Sequence, residues 1–439
     1  MVTFSRTTLK STNLFLAAFF LLITFLAPGP GAAKDYLDID APAFQKFPIA
    51  ITGFTKAGAD SDKEGLATWF PDNLSKYLEM TGYFNIIPRK AFLEDPARSQ
   101  EKILFGDWTT IGADYLVKGH FRGQGKDLVV EMRLYDTVRG ELMREKKYTG
   151  KTADSKDMAI QFVNEILLAL TGERGVFNTQ IAYVQKQGKN SEIRTITFDG
   201  SAQKQVTDYH SLTLAPRWSP DGKWISFTSY RDGNPDFYVA GLKGGAAKKV
   251  SHFPGLNLSG AWSPDGRKIL LTLSKDGNQE IYAMDSTSGY LQRLTYEYAI
   301  DVSPVWSPDG KSIAFVSNRA GSPQIYIMDS DGRNVKRLTR EGSYNTSPSW
   351  SPKGNQIAYE STTQGVFQLF TIGPDGTNPQ QLTSQGGEHK HPSWSPDGRY
   401  LAFTVKSGGI DRIAVMNANG TNIRILCEGS NPAWSQYFK

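Results

Sequence analysis

The stretch WSPDGK at residues 218–223 decides the architecture, because it returns along the chain at a fixed interval. Each full copy starts 44 residues after the one before, and a shortened copy, WSQYF, follows 40 residues after the last. The copies begin at Trp218, Trp262, Trp306, Trp350, Trp394 and Trp434. A self-similar period of this length is typical of repeat folds, in which each copy is one supersecondary unit.

Within one copy, short apolar segments alternate with turn signals. Residues 303–339 contain SPVWS, SIAFVS, QIYIMDS and VKRLT, separated by SPDG, NRAGSP and DSDGRN. This pattern predicts four antiparallel strands per copy, which is a β-propeller blade. The second-strand pattern also occurs one period earlier, at Ile181, so the sequence predicts six blades.

The ring must close, since an open ring would expose strand edges. Blade one has strand patterns at 179–184, 193–198 and 203–207 but no inner strand of its own. The segment SNPAWSQ at residues 430–436 resembles the inner strands of the other blades. We therefore predict an all-β propeller over residues 176–439, closed by the C-terminal strand. We expect its six repeated tryptophans to be structural and to fill the wedges between blades.

The serine, acid and cation of the repeated string also allow a catalytic interpretation. A serine nucleophile needs an activating base, and no histidine shares the 44-residue period. Ser-Pro-Asp-Gly fits a type I turn, and one copy carries Lys353 in place of the acid, which a turn tolerates. The structural interpretation is favoured.

Residues 34–172 mix strand and helix patterns. FPIAITGF (47–54) and GYFNIIP (82–88) are predicted strands, and residues 64–81 show an apolar helical stripe. Residues 127–150 predict a hairpin, and residues 154–172 predict an amphipathic helix that ends at Gly172. The fold class is therefore a small N-terminal α/β domain followed by the propeller.

The first 33 residues have the layout of a secretory signal peptide. Arg6 and Lys10 precede a 13-residue apolar core at 14–26, and small residues follow up to Ala33. We expect cleavage near Ala33 and export to the periplasm; an uncleaved anchor is the alternative. Removal of residues 1–33 would lower the net charge from +5 to +3 (47 Lys and Arg against 44 Asp and Glu), which is too mild to indicate nucleic-acid binding.

Signals for chemistry are weak. Cys427 is the single cysteine, so no disulfide can form within the chain, and we interpret it as an inert thiol. The string EHKH at 388–391 has poor spacing for a metal site. No nucleophile elbow or P-loop occurs in a suitable context. The sequence favours binding over catalysis, with no metal or cofactor expected.

Propeller function is expected in the loops at one mouth of the channel, opposite the WSPDG turns. These mouth loops precede the inner strands (208–216, 253–260, 297–304, 341–348, 386–392 and 428–432) or join the second and third strands (229–236, 274–280, 317–323 and 361–365). They vary among copies, as partner-binding loops on a scaffold do. The candidate partner-binding residues are His210, Arg231, Leu256, Asn257, Tyr298, Asp301, Arg319, Tyr344, Asn345, His389 and His391.

The order of these features resembles the TolB family of the Tol–Pal envelope system. The similarity rests on FPIAITGF, the junction LTGERGVFNTQIAYV (170–184), the PxWSPDG copies and the ending NPAWSQYF. It departs at Leu256, where the family pattern has a histidine.

The resemblance implies a periplasmic scaffold that is not an enzyme. It implies that the propeller mouth binds the peptidoglycan-associated lipoprotein Pal and that the segment after the signal peptide binds TolA. That segment comprises Asp35, Tyr36, Leu37, Asp38, Ile39 and Asp40. We expect a monomer that meets membranes only through these partners. The alternative is an exported propeller hydrolase or carbohydrate-binding protein.

Overall fold

The computed structural model describes residues 45–58, 62–93, 103–124, 126–242 and 244–438. The predicted signal peptide and the segment Asp35–Asp40 lie outside the described residues. Within the described ranges, no helix combines the length and the apolar character needed to cross a membrane.

The N-terminal part is a mixed sheet covered by helices, as the sequence predicts. Its sheet has the order β3-β1-β4-β5-β6, with a short β2 paired to β4. The first strands and helices are β1 (Phe47–Ile51), β2 (Thr55–Lys56), α1 (Leu66–Thr81), β3 (Phe84–Ile86) and α2 (Phe105–Thr110). The domain continues with β4 (Tyr115–Gln124), β5 (Asp127–Asp136), β6 (Glu141–Lys151) and α3 (Ser155–Thr171). Short 3-10 turns lie at Arg89–Ala91 and Thr152–Asp154.

Helix α1 contains Pro71 without breaking. A proline cannot donate to the carbonyl four residues earlier, so the Ala67 carbonyl loses its helical partner. That carbonyl instead accepts the Phe54 N–H, at 2.9 Å, from the loop after β1. The Asp62 carboxylate accepts the first two helical N–H groups, of Leu66 and Ala67, so the start is also capped.

The start of α3 has no side-chain cap. Asp154 occupies the N-cap position, but its side chain makes no capping bond to the helix. Its carboxylate accepts the Lys151 N–H at 2.8 Å instead. Gly172 ends the helix in the left-handed conformation, with φ of 76°, which a residue with a Cβ adopts only at a cost.

Residues 180–434 form six four-stranded antiparallel sheets, which are the six predicted blades. Blade one is β7 (Gln180–Gln187), β8 (Asn190–Thr197) and β9 (Gln203–Gln205), with its inner strand from the chain's last strand. Blade two is β10 (Thr213–Trp218), β11 (Trp224–Ser229), β12 (Asp236–Gly241) and β13 (Lys248–Ser251). Blade three is β14 (Asn257–Trp262), β15 (Lys268–Leu273), β16 (Glu280–Asp285) and β17 (Leu291–Arg293).

The remaining blades repeat this arrangement. Blade four is β18 (Asp301–Trp306), β19 (Ser312–Ser317), β20 (Gln324–Asp329) and β21 (Lys336–Arg337). Blade five is β22 (Asn345–Trp350), β23 (Ile357–Thr363), β24 (Val366–Ile372) and β25 (Gln380–Gln381). Blade six is β26 (Glu388–Trp394), β27 (Tyr400–Ser407), β28 (Ile410–Asn417) and β29 (Arg424–Glu428).

The C-terminal strand β30 (Ser430–Trp434) closes the ring, which confirms the predicted closure. It pairs antiparallel with β7, placing Trp434 opposite Ile181 and Ala433 opposite Ala182. The first blade is therefore built from both ends of the propeller sequence, and the ring has no free inner edge at this point.

The repeated tryptophans lie at the ends of the inner strands. Three indoles donate to the preceding blade: Trp218 to the Ala433 carbonyl, Trp262 to the Ser226 hydroxyl, and Trp394 to the Ser349 carbonyl. These N–H groups lie 2.9, 3.1 and 3.0 Å from their acceptors. The other three indoles do not donate to the preceding blade. Trp434 donates to Thr179, Trp350 reaches its own turn, and the Trp306 indole N–H has no partner among the described residues.

The α/β domain packs against the turn side of blades six and one. The rings of Tyr83 and Tyr400 lie 5.8 Å apart, and the Arg399 guanidinium donates to the Thr171 hydroxyl at 2.9 Å. Asn422 donates to the Met80 carbonyl at 3.2 Å. One hydrophobic cluster contains residues of both parts, so the two do not move as independent bodies joined only by a linker.

Candidate partner-binding surface

Hydrogen bonds between loops show which loops share a face. Asn278, in a loop between second and third strands, donates to the Glu297 and Ala299 carbonyls in a loop before an inner strand. On the other side, Ser286 in a third-to-fourth turn donates to the Gly266 carbonyl of a WSPDG turn. The mouth loops therefore lie together, opposite the WSPDG turns, as predicted. We call the two sides the mouth face and the turn face.

A ring of buried polar side chains lies just beneath the mouth face. These residues occur once per 44-residue period, at or next to the first residue of an inner strand, and each is 2 % exposed or less. We call them the latch residues: Thr213, Asn257, Asp301, Asn345 and His389.

Each latch residue joins neighbouring segments through hydrogen bonds. The Asn345 amide donates to the Gln324 side chain and to the Glu341 carbonyl, both at 2.7 Å. Gln324, which belongs to the preceding blade, also accepts the Thr339 hydroxyl at 2.8 Å. In the equivalent place, Asn257 accepts from the Ser251 hydroxyl at 2.7 Å. Asn257 and Asn345 thus each connect their blade to the preceding one, and these bonds satisfy buried polar groups that would be costly to leave without partners.

One latch is ionic. Asp301 accepts from the Arg319 guanidinium at 2.7 Å, and nearby Glu280 accepts from Arg293 at 2.9 Å and from Thr295. Burial raises the pKa of both Asp301 and Glu280, although their hydrogen bonds act in the opposite direction. The two carboxyl groups are thus held inside the protein by fixed donors.

The histidines of EHKH have different surroundings. The His389 Nδ1 atom lies 3.1 Å from the Gln368 amide oxygen, and burial lowers the pKa of this histidine. His391 lines the central channel, with its N–H donated to Glu360 at 2.8 Å, and burial also lowers its pKa. The two side chains do not form a shared site.

The two arginines among the predicted partner-binding residues, Arg231 and Arg319, make contacts within the fold. The Arg231 guanidinium lies between the rings of Tyr209 and Tyr238, 4.6 and 4.3 Å from their centroids. Arg319 lies over Tyr326 while it binds Asp301. Both side chains are mostly covered, and these cation–π contacts stabilise the loops that carry them.

The partner-binding residues predicted from the sequence therefore fall into a buried group and an exposed group, and the prediction is wrong for the buried group. Asn257, Asp301, Asn345 and His389 were expected on the partner-binding surface, but they are buried latch residues, because the inner strand begins at them. Leu256 is half-buried, with its N–H donated to Ser274. The exposed members are His210, Tyr298 and Tyr344.

Sequence reasoning missed several apolar side chains exposed on the same face. Leu212, Phe253 and Ile300 lie in loops before inner strands, and Val366 and Ile410 lie where second and third strands meet. Their signal was an apolar residue inside an otherwise polar loop, as in HFPGL and EYAID. We define the mouth surface as His210, Leu212, Phe253, Tyr298, Ile300, Tyr344, Val366 and Ile410.

One group on the mouth face has the spacing of metal ligands: Glu192, Asp208 and His210. The Glu192 carboxylate already accepts the Thr207 hydroxyl at 2.6 Å and the N–H groups of Tyr209 and His210 at 2.8 and 2.7 Å. A metal would have to compete with these donors, so the arrangement fits a fixed loop better than a cation site.

Fold and surface together define a class: a six-bladed propeller with an α/β domain packed on its turn face and an apolar, variable mouth surface. Two family models match the chain. The TolB amino-terminal domain matches residues 35–143, and the TolB beta propeller domain matches residues 168–438. The chain belongs to the TolB family.

Individual relatives agree with this assignment. The chain is 51% identical over 214 residues to a Tol-Pal system protein TolB of Syntrophus aciditrophicus, covering 47% of each chain. It is 40% identical to that of Desulfosudis oleivorans over 48% of this chain and 49% of the relative. These matches span about half the length of the curated relatives.

Among solved structures, a crystal structure of TolB from Acinetobacter baumannii is similar, with a TM-score of 0.78 and 27% identity. The similarity covers 89% of this chain and 97% of that one. The fold similarity thus includes both parts of the molecule.

Proposed function

We propose that this protein is a scaffold of the Tol–Pal system in the periplasm. It binds the lipoprotein Pal through the mouth surface and TolA through the segment Asp35–Asp40. Through these contacts it supports outer-membrane integrity and constriction at cell division. Membership of the TolB family and the names of its relatives support the Tol–Pal assignment.

The observation that carries the Pal proposal is the exposure of apolar side chains on the mouth face. The Tyr298 side chain is fully exposed, and Phe253, Ile300 and Tyr344 are each at least two-fifths exposed. The α/β domain packs on the turn face, so the mouth face is not covered by it. Exposed aromatic residues on a rigid base are typical hot spots of protein interfaces.

Non-enzymatic binding is also supported by how the polar groups of the mouth face are used. Glu192, Asp301 and His389 are committed to hydrogen bonds within the fold, which leaves them poorly placed to act on a substrate. A catalytic acid or base must instead reach a reacting group.

A binding measurement with purified Pal tests the proposal. Tyr298→Ser combined with Tyr344→Ser is expected to weaken the affinity of the mature protein for Pal at least tenfold, or about 1.4 kcal/mol. Isothermal titration calorimetry measures the change. Asn345 is not replaced in this experiment, because its loss would disturb a latch.

The matched control is Tyr290→Ser. Tyr290 is 71% exposed but lies between the third and fourth strands of blade three, on the turn face. Its replacement should leave Pal affinity unchanged. Equal losses from both variants, or no loss from the mouth pair, would refute this surface.

The TolA contact is tested separately by deleting residues 34–40 from the mature protein. We expect loss of TolA binding and retention of Pal binding, since the mouth surface remains. A deletion variant that still binds TolA as the full mature chain does would contradict the proposed role of this segment.

A further inference from the structure

A central cavity of about 700 Å³ runs along the ring axis. The inner strands of all six blades line it, together with the prolines of the WSPDG turns and the six repeated tryptophans. Its size is that of a site for a small organic molecule or for a few side chains of a peptide.

One cation lines this cavity at a position where the other blades carry small or neutral residues. Arg217 precedes the first repeated tryptophan. The residues that precede the other five tryptophans are Ala261, Val305, Ser349, Ser393 and Ala433. The guanidinium is therefore not required by the repeat itself. The small neighbours leave room for its long side chain in the channel.

Arg217 is paired with no carboxylate in the part of the chain that the structure describes. The Arg217 Nη1 atom donates a hydrogen bond to the Pro216 carbonyl, at 2.8 Å. The surrounding protein lowers the pKa of Arg217 by desolvation. A guanidinium has five N–H donors, so most of its donors remain for a ligand.

Two titratable groups near Arg217, Glu360 and the cavity-lining His391, do not neutralise this cation. Glu360 uses its carboxylate to accept the His391 N–H at 2.8 Å and the Ser347 hydroxyl at 3.0 Å. Burial and the nearby Arg217 charge both lower the pKa of His391, which favours its neutral form. The cavity is thus lined by one available cation, and the acid next to its lining is already engaged in hydrogen bonds.

Five residues that line the cavity have strained backbone, and four of them are polar. Ala215, Ser303, Ser347, His391 and Asn431 all have φ between 51° and 56°, and each lies at a bulge in an inner strand. A bulge interrupts the strand ladder, so backbone polar groups are left available there. Left-handed backbone at non-glycine residues is costly and concentrates at functional positions.

We propose that this channel is a carboxylate-binding site in which Arg217 is the principal binding residue. A planar guanidinium binds a carboxylate through two parallel N–H donors, and the hydroxyl and amide groups at the bulges supply further hydrogen bonds. This inference does not depend on Pal or TolA.

The carboxylate can come from a free organic acid or from a glutamate or aspartate side chain that enters from the mouth. Succinate is the probe for the first source, and the capped peptide acetyl-Gly-Glu-Gly-amide is the probe for the second. Since six tryptophans line the cavity, their fluorescence reports occupancy, and equilibrium dialysis gives the affinity. Succinamide and the glutamine peptide are the neutral controls.

We expect at least one acidic probe to bind the mature protein and its neutral control to bind at least tenfold more weakly. Arg217→Gln and Arg217→Ala should each reduce the affinity at least tenfold. Alanine already stands at two equivalent positions, so this replacement is compatible with the fold. The control is Arg267→Gln, a guanidinium whose side chain is 84% exposed on the turn face.

Binding of succinate alone would assign the site to a free acid, and binding of the peptide alone would assign it to an inserted side chain. Both results support a carboxylate site. The proposal is overturned if neither probe binds at about 10 mM, a concentration that would reveal even weak affinity. It is also overturned if Arg217→Gln binds as the unmodified protein does while its melting temperature changes, since Arg217 would then act only in the fold.

Discussion

The mouth face and the turn face carry the same 44-residue period but use it differently. On the turn face, Ser219, Ser263 and Ser307 each donate to the aspartate two residues later at 2.6 Å. The turn sequence is nearly the same in each blade. On the mouth face, the periodic residues are buried latches that differ in chemistry from blade to blade. Above them lie exposed loops whose side chains differ from blade to blade.

This difference shows how a scaffold can vary without losing its form. The turns fix the exit of each inner strand, while the latches fix its entry. An amide or a histidine serves as a latch by bonding to the preceding blade, whereas Asp301 pairs with Arg319 of its own blade. All three chemistries give buried polar groups a partner. The exposed loops are therefore free to differ, and partner binding is expected there.

The largest effect is expected from removing the closing strand. Deletion of residues 430–439 leaves blade one without its inner strand and removes the buried Trp434 indole. Losing a buried tryptophan alone costs about 3–5 kcal/mol, so the whole deletion should cost more than about 5 kcal/mol of unfolding free energy. Calorimetry should show a much lower melting temperature.

The control for this deletion removes only residues 437–439, which keeps the closing strand. It should cause a smaller loss, since Phe438 contacts Trp218 from outside the sheet. If removal of the whole strand left the melting temperature unchanged, the ring would not depend on this closure.

A second expected effect is a pH dependence of the unfolding free energy, caused by Asp397 in the WSPDG turn of blade six. Burial raises the pKa of Asp397 to about 6, whereas its counterpart Asp309 is exposed and its hydrogen bonds with Ser307 and Lys311 lower its pKa. A raised folded-state pKa means that folding is favoured below pH 4 and that this contribution disappears as pH rises through 6. Asp397→Asn should remove this dependence.

The expected difference is an increase in stability of Asp397→Asn relative to the unmodified protein, by up to about 3 kcal/mol, between pH 4 and pH 7. Urea unfolding across this range measures it. Asp309→Asn is the matched control and should show no such gain. A flat difference for Asp397→Asn would mean that this carboxyl group is not held protonated by its surroundings.

A third effect separates the latch from the surface above it. Asn257→Ala removes an acceptor for Ser251 and Phe253 and leaves these buried groups without a partner, at a cost of about 2 kcal/mol. Tyr298→Ser, at a fully exposed site, should change the unfolding free energy by less than about 0.5 kcal/mol. Chemical denaturation compares them, and similar losses would erase the distinction.

The smallest effect is expected within one turn. Blade five carries Lys353 where the other turns have aspartate, and the Lys353 N–H lies 3.3 Å from the Ser351 hydroxyl. Asp309→Lys copies this turn into blade four and removes two hydrogen bonds of an exposed carboxylate. A loss of about 0.5–1 kcal/mol is expected from denaturation curves. A loss above about 3 kcal/mol would show that the acid does more than order the turn.

Much of this fold was predictable from local pattern. The spacing of Trp218 and its copies predicted the blade number, and the missing inner strand of blade one predicted closure by residues 430–434. Such features follow from short-range rules, because strand alternation and turn residues depend on neighbours in sequence. The short strand at Thr55–Lys56 was missed, because two residues carry no periodic signal.

The candidate surface was less predictable, and Asn257 and Tyr298 show why. Both are polar or aromatic residues in or beside a variable loop, yet one is fully buried and the other fully exposed. The difference in exposure depends on whether the side chain packs against the preceding blade. Such packing is a contact between residues distant in sequence. Arg217 is a similar case, since only closure of the ring places it in a cavity.

The sequence by itself determined the two-part organisation, the six blades, the turns and the strand that closes the ring. The tertiary structure decided which loop residues are latches, which side chains form the mouth surface, and that a single unpaired cation lies in the channel among the described residues. The physical reason is that periodicity reports local backbone geometry, whereas burial and charge pairing depend on the neighbours that closure of the ring brings together.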